Sequence, residues 1–344
     1  MEKILKAGVI GCGAISKNHL KALAVLENAE CAAVCDTVEE KRNAARDTYG
    51  IKKTYADYRE MLKDPEIDVI HICTPHYLHA EMAVESLRAG KHVLCEKPEA
   101  VTLTDAEKMI RTAEETGKTL GICFQNRYNE ASVEMKRIMD QKELGKFLGA
   151  KGQVTWNREA PYYENSPWRG RWKTEGGSAL INQSIHTLDL MLWLSVRAEK
   201  VSAGIATRKL KGIIETEDTA DLMLTGPDGE HMLFYASNCY VKNAPVEVEI
   251  ICEEGSMKLT GTVLSVTKNG KTETKDYSSG NVYGKDYWGS GHGFLISDFY
   301  DCVRTGRKFP IGGTEASHAV SVLEAAYRSA KAGTEEKIVY ADET

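Results

Sequence analysis

Residues 7–20 read AGVIGCGAISKNHL, and the fold turns on them. The apolar run Ile4–Ile10 has the length of a strand. It ends in Gly11-Cys12-Gly13-Ala14-Ile15-Ser16, where a helix pattern opens at about 16–26. A G-x-G-x-x-[GAS] string alone is a weak signal, since paired glycines are common at strand ends. Here three conditions meet: a strand precedes the string, a helix follows it, and Asp36 closes the next apolar run 20 residues beyond Ser16. Glycines there permit a tight turn and the close approach of a pyrophosphate to the helix N-terminus, and an acidic residue at the second strand end can hold a ribose diol. Gly11, Cys12, Gly13, Ala14, Ile15 and Asp36 are therefore candidate dinucleotide-binding residues. Neither Thr37 nor Val38, which follow, is an arginine able to pair with a 2′-phosphate, so NAD is expected in preference to NADP.

Working outward, the apolar runs Cys31–Cys35, Val69–Cys73, His92–Cys95 and Leu120–Phe124 alternate with helix patterns at about 38–49, 78–89 and 105–116. Thr37-x-x-Glu40 and Thr104-x-x-Glu107 have the spacing of capping boxes, and Gly50, Gly90 and Gly117 fall where helices should end. Strands apolar on both faces, alternating with helices, predict a doubly wound parallel sheet: an α/β domain over 1–124. From about residue 145 the rhythm changes. Candidate strands at 148–156, 200–208, 218–225, 230–240, 245–252 and 256–267 succeed one another, with turn signals at Gly226-Pro227-Asp228-Gly229 and Asn269-Gly270. Residues 125–344 are expected to form an α+β domain. A large open, mainly antiparallel sheet joins the apolar helix 179–194 and two helices over 293–332 split by Gly306–Gly313.

Composition narrows the function. The 344 residues are 42% hydrophobic and 27% charged, the balance of a soluble globular chain long enough for two domains. Net charge is −6, and no long basic stretch offers a footprint for nucleic acid. No uncharged apolar run approaches the ~20 residues of a membrane helix, and Met1–Ile10 lacks a signal-type core. The 9 cysteines form no C-x-x-C pair and lie mostly in apolar runs. That spacing disfavours zinc or dithiol chemistry, so no metal is expected, and free thiols imply the reducing cytoplasm.

Three further segments carry chemistry. Cys73-Thr74-Pro75-His76-Tyr77-Leu78-His79 follows a strand, on the rim where ligands of open α/β sheets sit. Thr74, Pro75 and His79 are thus cofactor candidates, although a plain strand terminator would look the same. Glu96-Lys97-Pro98 ends the strand His92–Cys95, and an ionised lysine there is costly unless it faces a partner or a cleft. A surface Lys–Glu pair is the alternative. The helix after Gly176-Gly177 is apolar nearly all round, yet Asn182, His186 and Asp189 form one polar stripe at i, i+4 and i+7. Buried polar groups need partners. The stripe either faces substrate or pairs His186 with Asp189. The loop Asn157–Lys173 holds Tyr162, Tyr163, Trp168, Arg169 and Trp172, which suits a cover for a polyhydroxylated ligand or an interface.

Together with CTPHYLHAEMAVESLRAGKHVLCEKP (73–98), GICFQNRYNE (121–130), WRGRW…EGGSALINQSIHTLDL (168–190) and GHGFLISDFYDCVRTGRKFP (291–310), the opening stretch resembles the Gfo/Idh/MocA family over nearly the whole chain. That family includes glucose–fructose oxidoreductase and inositol dehydrogenase. The resemblance implies an N-terminal Rossmann domain binding a nicotinamide cofactor, a C-terminal open sheet used for oligomer contacts, and an active site between the two. It implies that Lys97 lies near the nicotinamide ribose and the reacting hydroxyl, that Pro98 is cis, and that His186 does acid/base work. Glu96 joins the cofactor set. Asn126, Trp168, Arg169, Asn182 and His186 are candidate substrate contacts.

One departure matters: inositol dehydrogenase-like members carry Asp four residues before the histidine, and this chain has Asn182. That weakens a cyclitol assignment and leaves Asp189 or Lys97 to orient His186. The implied reaction is hydride transfer to or from a secondary hydroxyl carbon of a sugar, glycoside or polyol, with His186 as base and Lys97 as polariser. A glycosidase using tightly held NAD for transient oxidation and a non-catalytic cofactor or sugar sensor are alternatives; retention of both Lys97 and His186 weighs against the sensor. A homodimer or homotetramer is expected through the exposed face of the second sheet.

Overall fold

The computed structural model describes residues 3–278 and 291–343. Their contacts group into two units. One lies within Met1–Ala100, Thr104–Gln125 and Ser290–Ser317, the other within Val101–Leu103, Asn126–Gly289 and His318–Thr344.

The first unit holds β1 (Leu5–Ile10), β2 (Ala29–Cys35), β3 (Lys53–Tyr55), β4 (Val69–Ile72), β5 (His92–Cys95) and β6 (Leu120–Ile122). They pair in parallel in the order β3-β2-β1-β4-β5-β6. Ala7, Val9, Val34, Ile70, Ile72, Val93 and Leu94 are fully enclosed, as strands covered on both faces require. The helices are α1 (Ser16–Leu23), α2 (Glu39–Tyr49), α3 (Tyr58–Leu62), α4 (His79–Arg88) and α5 (Leu103–Thr116). Because β2 and β4 flank β1 on opposite sides, the strand order reverses there. The crevice at that reversal opens beyond the carboxyl ends of β1 and β4.

Gly50, Gly90 and Gly117 have φ of 66°, 79° and 63°, as expected at helix ends. The two capping boxes do not form. The Val38 amide, at the start of α2, is held by Asp36 Oδ1 at 2.8 Å instead, and α5 begins at Leu103, so Thr104 lies inside it.

The second unit contains β7 (Phe147–Thr155), β8 (Lys200–Ala206), β9 (Thr219–Thr225), β10 (His231–Ser237), β11 (Glu247–Cys252), β12 (Gly255–Thr260), β13 (Val263–Lys268), β14 (Lys271–Asp276) and β15 (Glu336–Lys337). Their order is β14-β13-β12-β11-β7-β10-β9-β8-β15. Every neighbouring pair is antiparallel except β7 and β10, which run parallel because β10 returns to the sheet centre after β8 and β9. The expected strand 256–267 is two strands, broken at Gly261 with φ 61°. Asn269 and Gly270, with φ of 53° and 73°, close the two-residue hairpin between β13 and β14.

Helices α6 (Glu130–Asp140), α7 (Ala160–Glu164) and α8 (Ile185–Leu194) belong to this unit. Helix α8 packs on β7 and β11. At Gly152 of β7 a Cβ would stand 2.7 Å from the Phe234 ring and 3.2 Å from Met191 Sδ, so the helix approaches where the side chain is missing. The expected helix 179–194 is not uniform: Ala179–Ser184 is a π-helical turn, and the α-helix starts at Ile185.

Of the last two helices, α9 (Gly291–Thr305) returns to the first unit and packs on α1, while α10 (Gly313–Ala332) divides between the units at Ser317. Among the described residues no helix is long and apolar enough to cross a membrane.

Candidate active site

β1 leads straight into Gly11, whose φ is 90°. Its amide donates to the Cys35 carbonyl at 2.8 Å. A Cβ there would lie 2.6 Å from the Cys73 carbonyl oxygen, so only glycine lets β1 turn against β4. The Cys12 amide donates to Asp36 Oδ2 at 2.8 Å, which ties the turn to the end of β2. Burial, reinforced by the Asp36 charge, pushes the Cys12 thiol up to about 12, so it is an inert neighbour. At Gly13 nothing lies within 4 Å of where a Cβ would stand. Ala14 is exposed and Ile15 half-buried, and no side chain caps α1 at Ile15. The turn therefore leaves open space in front of a helix start. Arg42 Nη1 reaches the Asp36 carbonyl at 3.3 Å, a cation that the two residues after Asp36 did not disclose.

Thr74 and Pro75, both half-buried, follow β4, and Thr74 Oγ1 lies 3.5 Å from Met82 Sδ. His79 does not offer its ring to the rim. It is buried, with Nδ1 2.7 Å from the Pro98 carbonyl and Nε2 2.8 Å from the Thr74 carbonyl. Burial holds its pKa below the ordinary histidine value, so the neutral ring donates to one carbonyl at a time and braces the Thr74 and Pro98 loops together.

Lys97 is half-buried and the Lys97–Pro98 bond is cis. Glu96, expected beside the cofactor, turns inward instead. Its Oε1 lies 3.0 Å from His19 Nε2 and 3.8 Å from His292 Nε2, and its Oε2 accepts the Lys97 amide at 3.2 Å. Burial would raise this carboxyl, but the hydrogen bond from His19 and the neighbouring His292 hold it well below the usual carboxylate range.

His19 Nε2–H donates to Glu96, His19 Nδ1 lies 2.8 Å from His71 Nδ1, and His71 Nε2 lies 2.9 Å from the Tyr300 hydroxyl. His71 is held neutral by burial and by His19. Ligand atoms of His19, Glu96 and Cys123 also lie within 4.8 Å of one another, a spacing that could hold a metal ion.

In the second unit, Asn126 Oδ1 is buried and makes no hydrogen bond among the described residues. The loop 157–173 is pinned by Tyr163, which packs with Leu210 and Ile214 and whose hydroxyl bonds Ser178 Oγ at 2.7 Å and Asn238 Nδ2 at 3.0 Å. Arg169 lies 4.2 Å over the Tyr162 ring and 5.3 Å from the Trp168 ring. Its Nε is buried without a hydrogen bond among the described residues.

On the polar stripe the three residues separate. Asp189 is enclosed, and Arg127 grips both its oxygens, Nε to Oδ2 at 2.8 Å and Nη2 to Oδ1 at 2.6 Å. It is the partner of Arg127. Asn182 and His186 are half-buried. The Asn182 side-chain amide donates to Glu175 Oε1, and the Gly170 amide to Glu175 Oε2. Glu217, also enclosed, accepts the amides of Ser178 at 3.0 Å and Leu180 at 2.9 Å, which anchors the π turn. Neither glutamate stood out in the sequence. The only signal was an acidic residue immediately before the Gly176-Gly177 pair.

A parallel sheet whose first turn, second strand end and switch point meet in this way is a dinucleotide-binding Rossmann domain. The family model described as "Oxidoreductase family, NAD-binding Rossmann fold" matches residues 5–124, and the one described as "GFO/IDH/MocA C-terminal domain" matches 132–258. The chain belongs to the Gfo/Idh/MocA oxidoreductase family, and its cofactor is NAD. Inositol 2-dehydrogenase of Salmonella typhimurium is 36% identical over 193 residues, 55% of this chain and 54% of that enzyme. The chain thus spans about half the length of that curated relative. D-apiose dehydrogenase of Paraburkholderia graminis is 26% identical over 340 residues, 96% of this chain and 89% of that enzyme. The WlbA dehydrogenase of Bordetella pertussis, solved with NADH and UDP-GlcNAcA, superposes with a TM-score of 0.85 at 29% identity, covering 98% of this chain and 99% of that one.

The Arg127–Asp189 pair is buried on both sides, with 5% and 2% side-chain exposure, so removing one charge strands the other. Asp189→Asn is expected to cost about 3–5 kcal/mol and to lower Tm by roughly 10 °C, with NAD affinity unchanged. Thermal denaturation and NAD titration of the variant check this. An unchanged Tm would show that the Arg127–Asp189 pair does not hold the fold together.

Proposed function

We propose that the protein is an NAD-dependent dehydrogenase moving hydride between the nicotinamide and a secondary hydroxyl carbon of a sugar, glycoside or related polyol. The observation that supports this most is the gathering of Gly11–Ile15, Asp36, Thr74–Pro75 and Lys97 at the carboxyl ends of β1, β2, β4 and β5, one rim of one sheet. The named activities of the relatives, on inositol and apiose, support a polyhydroxylated substrate.

The residues fit the cofactor. Open space at Gly13 and the uncapped start of α1 suit a pyrophosphate. Each Asp36 oxygen holds one amide and retains a lone pair for a ribose hydroxyl. When bound, NAD supplies the hydride acceptor. Lys97 donates to the reacting oxygen and stabilises its alkoxide character. His186 takes the hydroxyl proton, a task suited to imidazole because its ordinary pKa is near neutral. Asn126 Oδ1 and Arg169 Nε, both buried without partners among the described residues, are complementary to substrate hydroxyls, with Trp168 beside Arg169 as an apolar wall.

The free state of all 9 cysteines supports a reducing, cytoplasmic setting. Met223, Leu233 and Ile251 are 37%, 43% and 44% exposed on one face of the second sheet, and covering them supports a homodimer or homotetramer. Light scattering at micromolar concentration is expected to give a dimer or tetramer mass, and a monomer mass contradicts it.

Asp36 repels a 2′-phosphate, so kcat/KM should favour NAD. Asp36→Ser paired with Thr37→Arg should relax the preference, with Arg42 already at that strand end. Equal use of both cofactors by the wild type would remove Asp36 from the ribose.

A panel of sugars, glycosides and polyols with NAD, followed by NADH absorbance and released aglycone together, tests the activity. On a substrate so found, Lys97→Met and His186→Ala are each expected to lose at least about 10²-fold in kcat. NAD affinity should be little changed, and the double variant should fall well short of the product. Near-normal turnover by Lys97→Met would refute the assignment.

A further inference from the structure

Asn182 and His186 lie four residues apart and are both half-buried, while Ile181, Gln183, Ser184 and Ile185 around them are buried. Behind Asn182 sits Glu175, which has no solvent exposure. The Asn182 Nδ2 donates to Glu175 Oε1 and the Gly170 amide to Oε2. A carboxylate oxygen only accepts. That rule decides which end of the Asn182 amide faces inward, a choice that side-chain shape alone leaves open: the NH2 turns to Glu175, and Oδ1 turns away from it.

We propose that Glu175 is a positioning residue for the reaction, acting through Asn182 to fix an acceptor oxygen one turn before His186, where it takes a hydrogen bond from a substrate hydroxyl or from the histidine. The proposal rests on the dehydrogenase reading above. A histidine that must lose and regain a proton during turnover gains from a neighbour whose polarity is locked, because a flipped amide would present a donor where an acceptor is needed. Burying the carboxylate behind an amide, rather than placing it in the site, supplies that lock without a full negative charge beside the substrate.

The lock depends on ionisation. A protonated Glu175 is itself a donor and bonds equally well to Asn182 Oδ1, so the amide is no longer held one way round. Burial pushes Glu175 up to about 7, with the Glu217 charge acting in the same direction and the Gly170 amide, Asn182 and Arg169 acting against it. The hydroxyls of Tyr163 and Tyr327 also face it, both raised by burial and therefore neutral near pH 7. Loss of a proton from Glu175 as pH rises through neutrality switches the lock on.

The test compares Glu175→Gln, Asn182→Asp and the double variant with the wild type. Glu175→Gln is expected to lower kcat by about 10- to 100-fold, the range of a displaced catalytic contact, with NAD affinity unchanged. The acid limb of kcat/KM, steep with two titrations in the wild type, should keep only one. Asn182→Asp alone sets two carboxyls against each other, which raises one pKa and moves the acid limb to higher pH. The double variant moves the carboxylate one hydrogen bond outward and should recover most of the lost kcat, which a merely structural role for Glu175 would not produce. A Glu175→Gln profile identical to the wild type, or a double variant no better than Glu175→Gln, overturns the proposal while leaving the dehydrogenase reading intact. If the wild type reduces NAD with no substrate in the panel, the dehydrogenase reading fails by itself. The lock is then read by NMR: the Asn182 side-chain 15N signal should titrate near pH 7 in the wild type, and a signal flat through that range overturns it.

Discussion

A buried carboxylate must be neutralised or hydrogen-bonded, and in the first unit that requirement falls on Glu96. Its side chain is 5% exposed, and stranding such a charge would cost several kcal/mol. His19 from α1, His71 from β4, Tyr300 and His292 from α9, and the backbone of Lys97 all converge to prevent it. An unbroken run of hydrogen bonds links Tyr300 through His71 and His19 to Glu96. Satisfying a single charge thus registers α1, β4, β5 and α9 against one another. It also fixes the backbone from which Lys97 leaves the sheet and the helix at whose start the dinucleotide turn lies.

The second unit meets the same problem at the π turn. Glu217 accepts the Ser178 and Leu180 amides and the Tyr327 hydroxyl, and Glu175 accepts from Gly170 and Asn182. Close packing around these acids leaves no room for side chains: a Cβ on Gly177, whose φ is 148°, would meet the Tyr327 hydroxyl at 2.0 Å. A π turn widens the helix by one residue per turn and is often found where function re-aims a side chain. Here it lies immediately before His186.

Much of this was legible because the first sheet uses residues whose chemistry is position-specific. Gly11 must accept a positive φ against the Cys73 carbonyl, Asp36 must end β2, and Gly50, Gly90 and Gly117 must end helices. Strand ends therefore announced themselves. What stayed hidden was direction and distance. Glu96 and His79 were assigned to the rim, yet both turn inward: the Glu96 partners His19 and His292 lie 77 and 196 residues away in the chain, and no local pattern distinguishes an inward carboxylate from an outward one. Asp189 has a partner that helical spacing does not reveal, because Arg127 lies 62 residues upstream. β3 has three half-buried residues and no periodicity to detect. The first capping box failed because α2 starts from Val38, whose amide Asp36 holds, and the second because α5 already begins at Leu103.

Hydride transfer itself is the claim on which the functional account stands, and isotope transfer tests it most directly. A polyol or sugar labelled with deuterium at the reacting carbinol carbon is incubated with NAD and the protein, and the recovered nicotinamide cofactor is weighed by mass spectrometry. Label accumulating in NADH in step with oxidised product is the predicted result. Unlabelled cofactor, or free sugar released with no net NADH, would contradict it.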